Sequence, residues 1–386
     1  MRRLSILIIP LLLGTTGCDP CSGINARLAP PLLHEIVEDG THVLLQASTI
    51  GLGSRLSDSF PEGDARWENG MVSWDTLAIT LNEAGSNAAV GIRLHTGDAV
   101  LGGTLRFPIA LATKHREGGF TIGATPSGPS SLSLSEGAPP AGLQARLDSQ
   151  RASWLEASPL LEFSGWYRPG KFLPISASQP TLDGAVLRVE IATALPAAPI
   201  DAGERATRPG MADDFTMAIS SSLLSQLARG GWRPVLAGPS TSEAWAPPSG
   251  WSLAALAPGA GKRSLDIPVV ARRTESCSYL ELTVQVGPAV VDGGFGWKPD
   301  ARHSVLGKRG EASEDETASL VASSLLGLSA PLAQLPVRGP DKYPAVLRIA
   351  RSQNNTLLLD GLLGPIKVNR KAPPLRGLPP GTPTSP

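Results

Sequence analysis

Side chains able to do covalent or metal chemistry are few in this chain and poorly grouped. Five histidines, His34, His42, His95, His115 and His303, lie far apart. None has the His-x-x-x-His or His-Glu-x-x-His spacing that sets two imidazoles on one helix face for zinc. No Gly-x-Ser-x-Gly run offers a strained nucleophile elbow. Gly259-Ala-Gly-Lys-Arg-Ser264 has the look of a phosphate loop, but Leu256 stands where its first glycine belongs. Arg263 also replaces the hydroxyl residue that would bind magnesium. No nucleophile has an identifiable base. We therefore expect no catalytic residue, metal or cofactor, although a triad assembled from distant residues leaves no trace in a sequence. The thiols are Cys18, Cys21 and Cys277. Cys21 and Cys277 could form a disulfide in an oxidising compartment, and spacing alone does not decide it.

Cys18 has the more informative surroundings. Arg2 and Arg3 precede a short apolar run, Leu4 to Leu13, and Gly14-Thr-Thr-Gly17 then leads into the cysteine. A positive start, an apolar stretch and small residues are the order of a secretory signal. The apolar run is too short to span a bilayer, which takes about 20 residues. The small residues before a lone cysteine resemble the lipobox of bacterial lipoproteins, with Thr15 where that pattern usually carries leucine. The resemblance implies removal of residues 1–17, acylation of Cys18 (palmitate among the chains) and a place in the bacterial cell envelope. One acyl chain holds a protein only marginally and a second makes the anchor stable. Outer-membrane attachment, on the periplasmic or outer face, is favoured. Asp19 resembles an inner-membrane retention signal and leaves that membrane open.

Composition limits the partners. Net charge is zero, which gives no basic face for nucleic acid. Aromatic residues make up only 5%, so the cores must be mostly aliphatic. The 42 glycines and 36 prolines favour many short strands and turns over a helical bundle.

Those strands are legible as alternation. Leu77, Ile79 and Leu81, then Val90, Ile92 and Leu94, then Leu105, Phe107, Ile109 and Leu111 each alternate with smaller or polar neighbours. Leu187, Val189 and Ile191 repeat the pattern, as do Leu280, Leu282, Val284 and Val286. Such alternation marks sheets with one buried face. Two segments depart from it together. Ile24 to Gly40 and Phe215 to Gly231 each begin with period 2 and change to helical spacing, with Leu32-Leu33 matching Leu223-Leu224. Pro30 and Pro31 suit a first helical turn, Ser220 to Ser222 can cap one, and glycines follow both. Each half is thus expected to open with a strand running into an amphipathic helix. Residues 196–210, rich in proline and without period, read as the linker between them. A further helix is expected from about Thr317 to Leu328, with acidic residues at its start. The expected organisation is a signal over 1–17, halves over 18–195 and 211–368, and a disordered Pro/Gly-rich tail over 369–386.

A repeated strand and amphipathic helix in a β-rich exported chain resembles the tubular lipid-binding (TULIP) superfamily, to which bactericidal/permeability-increasing protein belongs. Asp214 to Trp232 is the nearest local likeness. The resemblance implies an α+β, mainly antiparallel β fold of two tandem similar halves, each a long curved sheet wrapped around an amphipathic helix. It also implies a phospholipid or fatty acid in the tunnel between them. The candidate apolar-ligand residues are Leu28, Leu32, Leu33, Ile36 and Val37 in the first half, and Ile219, Leu223, Leu224 and Leu227 in the second. Any core helix shows the same stripe. The competing reading is a non-catalytic envelope scaffold or adhesion lipoprotein of tandem β-sandwiches, with an envelope protein as partner.

Overall fold

The computed structural model describes residues 22–36, 40–67, 70–156, 159–200, 214–235, 247–256, 259–260, 265–276, 278–299 and 305–364. Cys18, Cys21, Val37, Cys277, the signal, most of the linker and the tail lie outside them. The chain is mainly antiparallel β, with a sheet curled into a half-barrel. Among the described residues no helix is long and apolar enough to cross a membrane.

A seven-stranded sheet occupies the middle. Its order is β11 (Ile175–Ala177), β13 (Val186–Thr193), β1 (Val43–Ser48), β14 (Phe215–Ser220), β24 (Thr356–Leu362) and β23 (Val346–Gln353), with β12 (Thr181–Asp183) also beside β13. Val43, Leu45 and Ala47 lie opposite Ile219, Met217 and Phe215, so β1 and β14 run antiparallel about the Leu45–Met217 pair. Each then leads directly into a helix, α2 (Thr49–Ser59) or α5 (Ser221–Arg229). Ser48 caps α2, its Oγ accepting from the Gly51 amide at 3.3 Å. Ser220 holds the same extended backbone before α5, but its hydroxyl donates to the Ala198 carbonyl at 2.6 Å.

Two further sheets flank the middle one. The eight-stranded sheet comprises β2 (Gly63–Trp67), β3 (Gly70–Thr80), β4 (Ser86–Thr96), β5 (Ala99–Arg116), β6 (Gly119–Pro126), β8 (Leu161–Phe163) and β22 (Val337–Arg338), with β7 (Ser131–Leu134) beside β5. Between β7 and β8 lie two short helices, α3 (Leu143–Asp148) and α4 (Arg151–Glu156). The six-stranded sheet orders β16 (Trp251–Ala255), β18 (Leu265–Arg273), β19 (Tyr279–Val291) and β20 (Gly294–Pro299), with β17 (Gly259–Ala260) on β18 and β21 (Val305–Gly310) on β19. A small ribbon of β10 (Lys171–Phe172), β9 (Trp166–Arg168) and β15 (Arg233–Pro234) joins them.

The alternating segments form strands with the expected face inward. Leu77, Val90, Leu94, Leu105, Ile191, Leu280 and Val284 are fully buried. The expected helix after the acidic run is α6 (Glu314–Ser329), started by a reciprocal capping box between Ser313 and Glu316. Its Leu320 and Leu328 are buried.

The first strand-and-helix segment is a correction. Ser22–Leu28 is a helix, α1, and residues 30–36 have no regular structure. Pro30 and Pro31 offer no amide to a ladder, and a proline biases the residue before it away from helix. The strand that runs into a helix beside β14–α5 is β1–α2, further along the chain.

Candidate functional site

At the sheet–helix interface of the second flank, the apolar stripe of α5 meets β14, β16 and α6. Helix α5 carries Leu223, Leu224 and Leu227 at the spacing that places them on one side, and all three are wholly buried, as is Ile219 at the end of β14. Against them stand Ala254 and Ala255 of β16 and Leu320 and Leu328 of α6. The Ser225 hydroxyl donates to the Ala255 carbonyl at 3.0 Å, which ties α5 to the strand edge. Small residues, among them Ala228, Ala255, Ser324 and Gly327, line the seam between these elements together with Arg229, Leu253 and Leu328, and the space left there is about 10 Å³. That is no more than a single water requires. The side chains of α5 are met by the protein's own atoms.

The first-half candidates are not brought together. Leu28 ends α1 and is half-buried, and Ile36 is half-buried in the irregular segment. Leu33 packs against the core, whereas Leu32 is 77% exposed. The helix that faces the first flank's core is α2, through fully buried Leu52 and Leu56. Sequence reasoning passed over it because its other positions include Gly51, Gly53 and Ser54, a weak stripe. Gly53 is there for proximity: a Cβ would stand 3.0 Å from the Ile79 carbonyl oxygen. Between α2 and β3 a shallow groove of about 440 Å³ is lined by Ile50, Gly53, Ser57, Ala78 and Leu81.

α1 packs on β18 and β16 of the second flank. Its Ile24 is buried, Arg27 pairs with Glu281 of β19, and Arg229, at the end of α5, donates to the Ala29 carbonyl at 2.7 Å. Burial lowers the pKa of that guanidinium from its usual value. Trp154, Trp166, Trp232 and Trp251 are all buried. Arg168 lies over the Trp232 ring, 4.7 Å from its centre.

Among the described residues, no three His, Cys, Asp or Glu side chains converge as a metal set. His95 is half-buried, with Nε2 3.2 Å from the Ser73 hydroxyl. His42 is buried at the start of β1. Nothing in the sequence around it marks it out.

No family model matches the chain, and no curated protein matches it in sequence. Two solved structures are similar to it over much of its length. P47 of Clostridium botulinum E1 shares 8% identity at a TM-score of 0.33, covering 84% of this chain and 99% of its own. P47 from Clostridium botulinum A2 shares 9% at 0.29, with the same coverages. Likeness at that level carries no argument about fold or function.

Proposed function

We propose that the protein is an exported, lipid-anchored envelope protein of two tandem TULIP-like halves that takes an acyl chain of a phospholipid or fatty acid between sheet and helix. Cys18 is the attachment residue, and the protein is not an enzyme. The observation that supports this most is the placing of β1–α2 beside β14–α5. Both units have a strand of six residues, a serine at the turn and a helix running under a flanking sheet. Each strand pairs on its outer side with the last long strand of its own half, β13 for β1 and β24 for β14. The chain thus leaves the middle sheet, builds a flank and returns to the middle sheet, twice.

An acyl chain needs no charged contacts in such a site, since each buried CH₂ contributes about 0.8 kcal/mol. It does need room. The narrow seam beside α5 means that the ligand must part α5 from α6 and β16, along a line where small residues alternate with Leu253 and Leu328. The same closed seam favours a second reading, a non-catalytic envelope scaffold or adhesion protein whose core is complete without ligand.

The discriminating measurement is native mass spectrometry with lipid extraction on a Cys18→Ser form made in the bacterial periplasm. Stoichiometric phospholipid or fatty acid, lost on Leu224→Asp while the circular dichroism stays native, is the expected result. An apo mass that persists after incubation with liposomes would overturn the carrier reading and leave the scaffold.

A further inference from the structure

His42 is buried with both ring nitrogens in use. The Thr193 amide donates to Nδ1 at 3.1 Å, so Nδ1 holds a lone pair and carries no proton. Nε2 lies 3.0 Å from the Ala197 carbonyl oxygen, an acceptor, and must carry the hydrogen. The ring is therefore the neutral Nε2–H tautomer, clamped by residues on both sides of Leu195.

What the ring clamps is the segment 193–200, which leaves β13 and crosses the middle sheet. Ala198 accepts from the Ser220 hydroxyl at 2.6 Å, and its amide donates to the Ser222 hydroxyl at 3.2 Å. The Ile200 amide donates to the Thr41 carbonyl at 2.7 Å. Ile200 then closes a small separate apolar cluster with Leu44, Ala218 and Leu358, on the face of the sheet turned away from the main core. One segment thus joins β1, β14 and α5, and it covers apolar residues of three adjacent strands.

We propose that His42 is a proton-operated latch, holding the 193–200 segment on the middle sheet when neutral and releasing it when protonated. Protonation would put a hydrogen on Nδ1 against the Thr193 amide hydrogen, two donors 3.1 Å apart by their nitrogens. The new cation would have no charged partner, and on that side only the Thr193 hydroxyl, 3.1 Å from Nδ1, to accept its hydrogen in place of the lost amide bond. Segment 193–200 and Ser220 to Ser222 contain no ionisable side chain. Glu190 of β13 already accepts from the Thr41 hydroxyl at 2.7 Å, and His34 and Glu35 of the segment before β1 are exposed. Burial, the larger influence, lowers the imidazole pKa, and the bond to Ala197 offsets part of that. A depressed histidine pKa makes the open segment the better proton binder. Its hold is complete above the free value of about 6.5 and weakens as the pH falls below it. Release would uncover Leu44, Ala218 and Leu358 in acid. The inference does not depend on what the protein binds.

Hydrogen–deuterium exchange on the full chain between pH 7.5 and 5.0, normalised for intrinsic exchange rates, tests this. Protection over 193–200 is expected to fall as the pH drops below about 6.5, by up to about tenfold per pH unit for one proton per opening, while β18 and β19 keep theirs. In His42→Gln that pH dependence should vanish. Protection that is flat with pH, or the same loss in His42→Gln, would overturn the latch. Should His42→Gln fail to fold, a ¹⁵N NMR titration of the unaltered chain decides. A midpoint below 6.5 with the Nε2–H tautomer supports the latch, and a midpoint at or above 6.5 or the other tautomer refutes it.

Discussion

Arg55 is the side chain through which α2 grips the rest of the middle sheet, and its removal makes the sharpest test of how that sheet is held. Its guanidinium meets Asp214 at 2.7 and 2.9 Å and Asp341 at 3.3 Å. Asp214 immediately precedes β14, its carbonyl accepts from the Ser48 amide at 2.7 Å, and its carboxylate also accepts from the Leu363 amide at 3.1 Å. The three charged side chains are 17%, 19% and 15% exposed. Breaking a fully buried pair costs about 3–5 kcal/mol, and an exposed pair contributes at most about 1. With one-sixth exposure and Asp341 still beside the arginine, Asp214→Ala should cost about 2 kcal/mol. At a urea slope of about 3 kcal/mol per molar, the midpoint falls by about 0.7 M. The coupling in a cycle of Arg55→Ala, Asp214→Ala and the double variant should be about 1–2 kcal/mol. A coupling under about 0.3 kcal/mol would refute the reasoning, leaving the backbone ladder alone to hold this corner.

The same titrations should separate the two leucine pairs that sequence reading treats as equivalents. Leu224→Ala should cost about 2–5 kcal/mol, toward the upper end because the surrounding seam is already closed. Leu32→Ala, at 77% exposure, should stay within about 0.5 kcal/mol, and equal losses would contradict the placement of the N-terminal segment. At the other end of the second flank, Ser313→Ala should cost about 1 kcal/mol by removing the α6 cap. The Glu316 carboxyl is held below the usual range, first by its bond to the Ser313 amide and then by Arg273. A depressed carboxyl pKa stabilises above its unfolded value and loses that effect as the pH falls through the folded one. Glu316→Gln should therefore flatten the acid side of the stability–pH curve below about 4.3, and an unchanged acid limb would argue against the capping box.

How much of this was legible follows from what periodicity can report. Alternation exposes strands with one wet face, and β3, β4, β5, β13 and β19 are of that kind. β1 is not. Val43, Leu44 and Leu45 are all buried, because Ile200 covers the face that alternation expects to be polar. A run buried on both faces has no period, and β1 went unread beside a poorer segment, Ile24 to Gly40, whose spacing looked right. α2 was hidden for the opposite reason. Gly51 and Gly53 let it lie close, the first beside the Asp214 carboxylate and the second on the Ile79 carbonyl, and glycine weakens the helical signal just where contact is tightest. His42 gave no signal because its partners, Thr193 at the end of a return strand and Ala197 just beyond it, come about 150 residues later.

The α5 stripe shows the remaining gap most clearly. Spacing alone established that Leu223, Leu224 and Leu227 are buried, and they are. It could not establish on what, because an apolar stripe is equally satisfied by lipid or by protein. The answer depends on residues supplied from far along the chain, Ala254 and Ala255 from β16 and Ser324, Gly327 and Leu328 from α6. They are mostly small, so the helices approach until about 10 Å³ remains. Leu253 and Leu328 line it too, so reopening it around a chain of methylenes costs the contacts that those side chains make. The choice between carrier and scaffold therefore turns on how firmly α6 and β16 are held against α5, which the leucine stripe by itself does not decide.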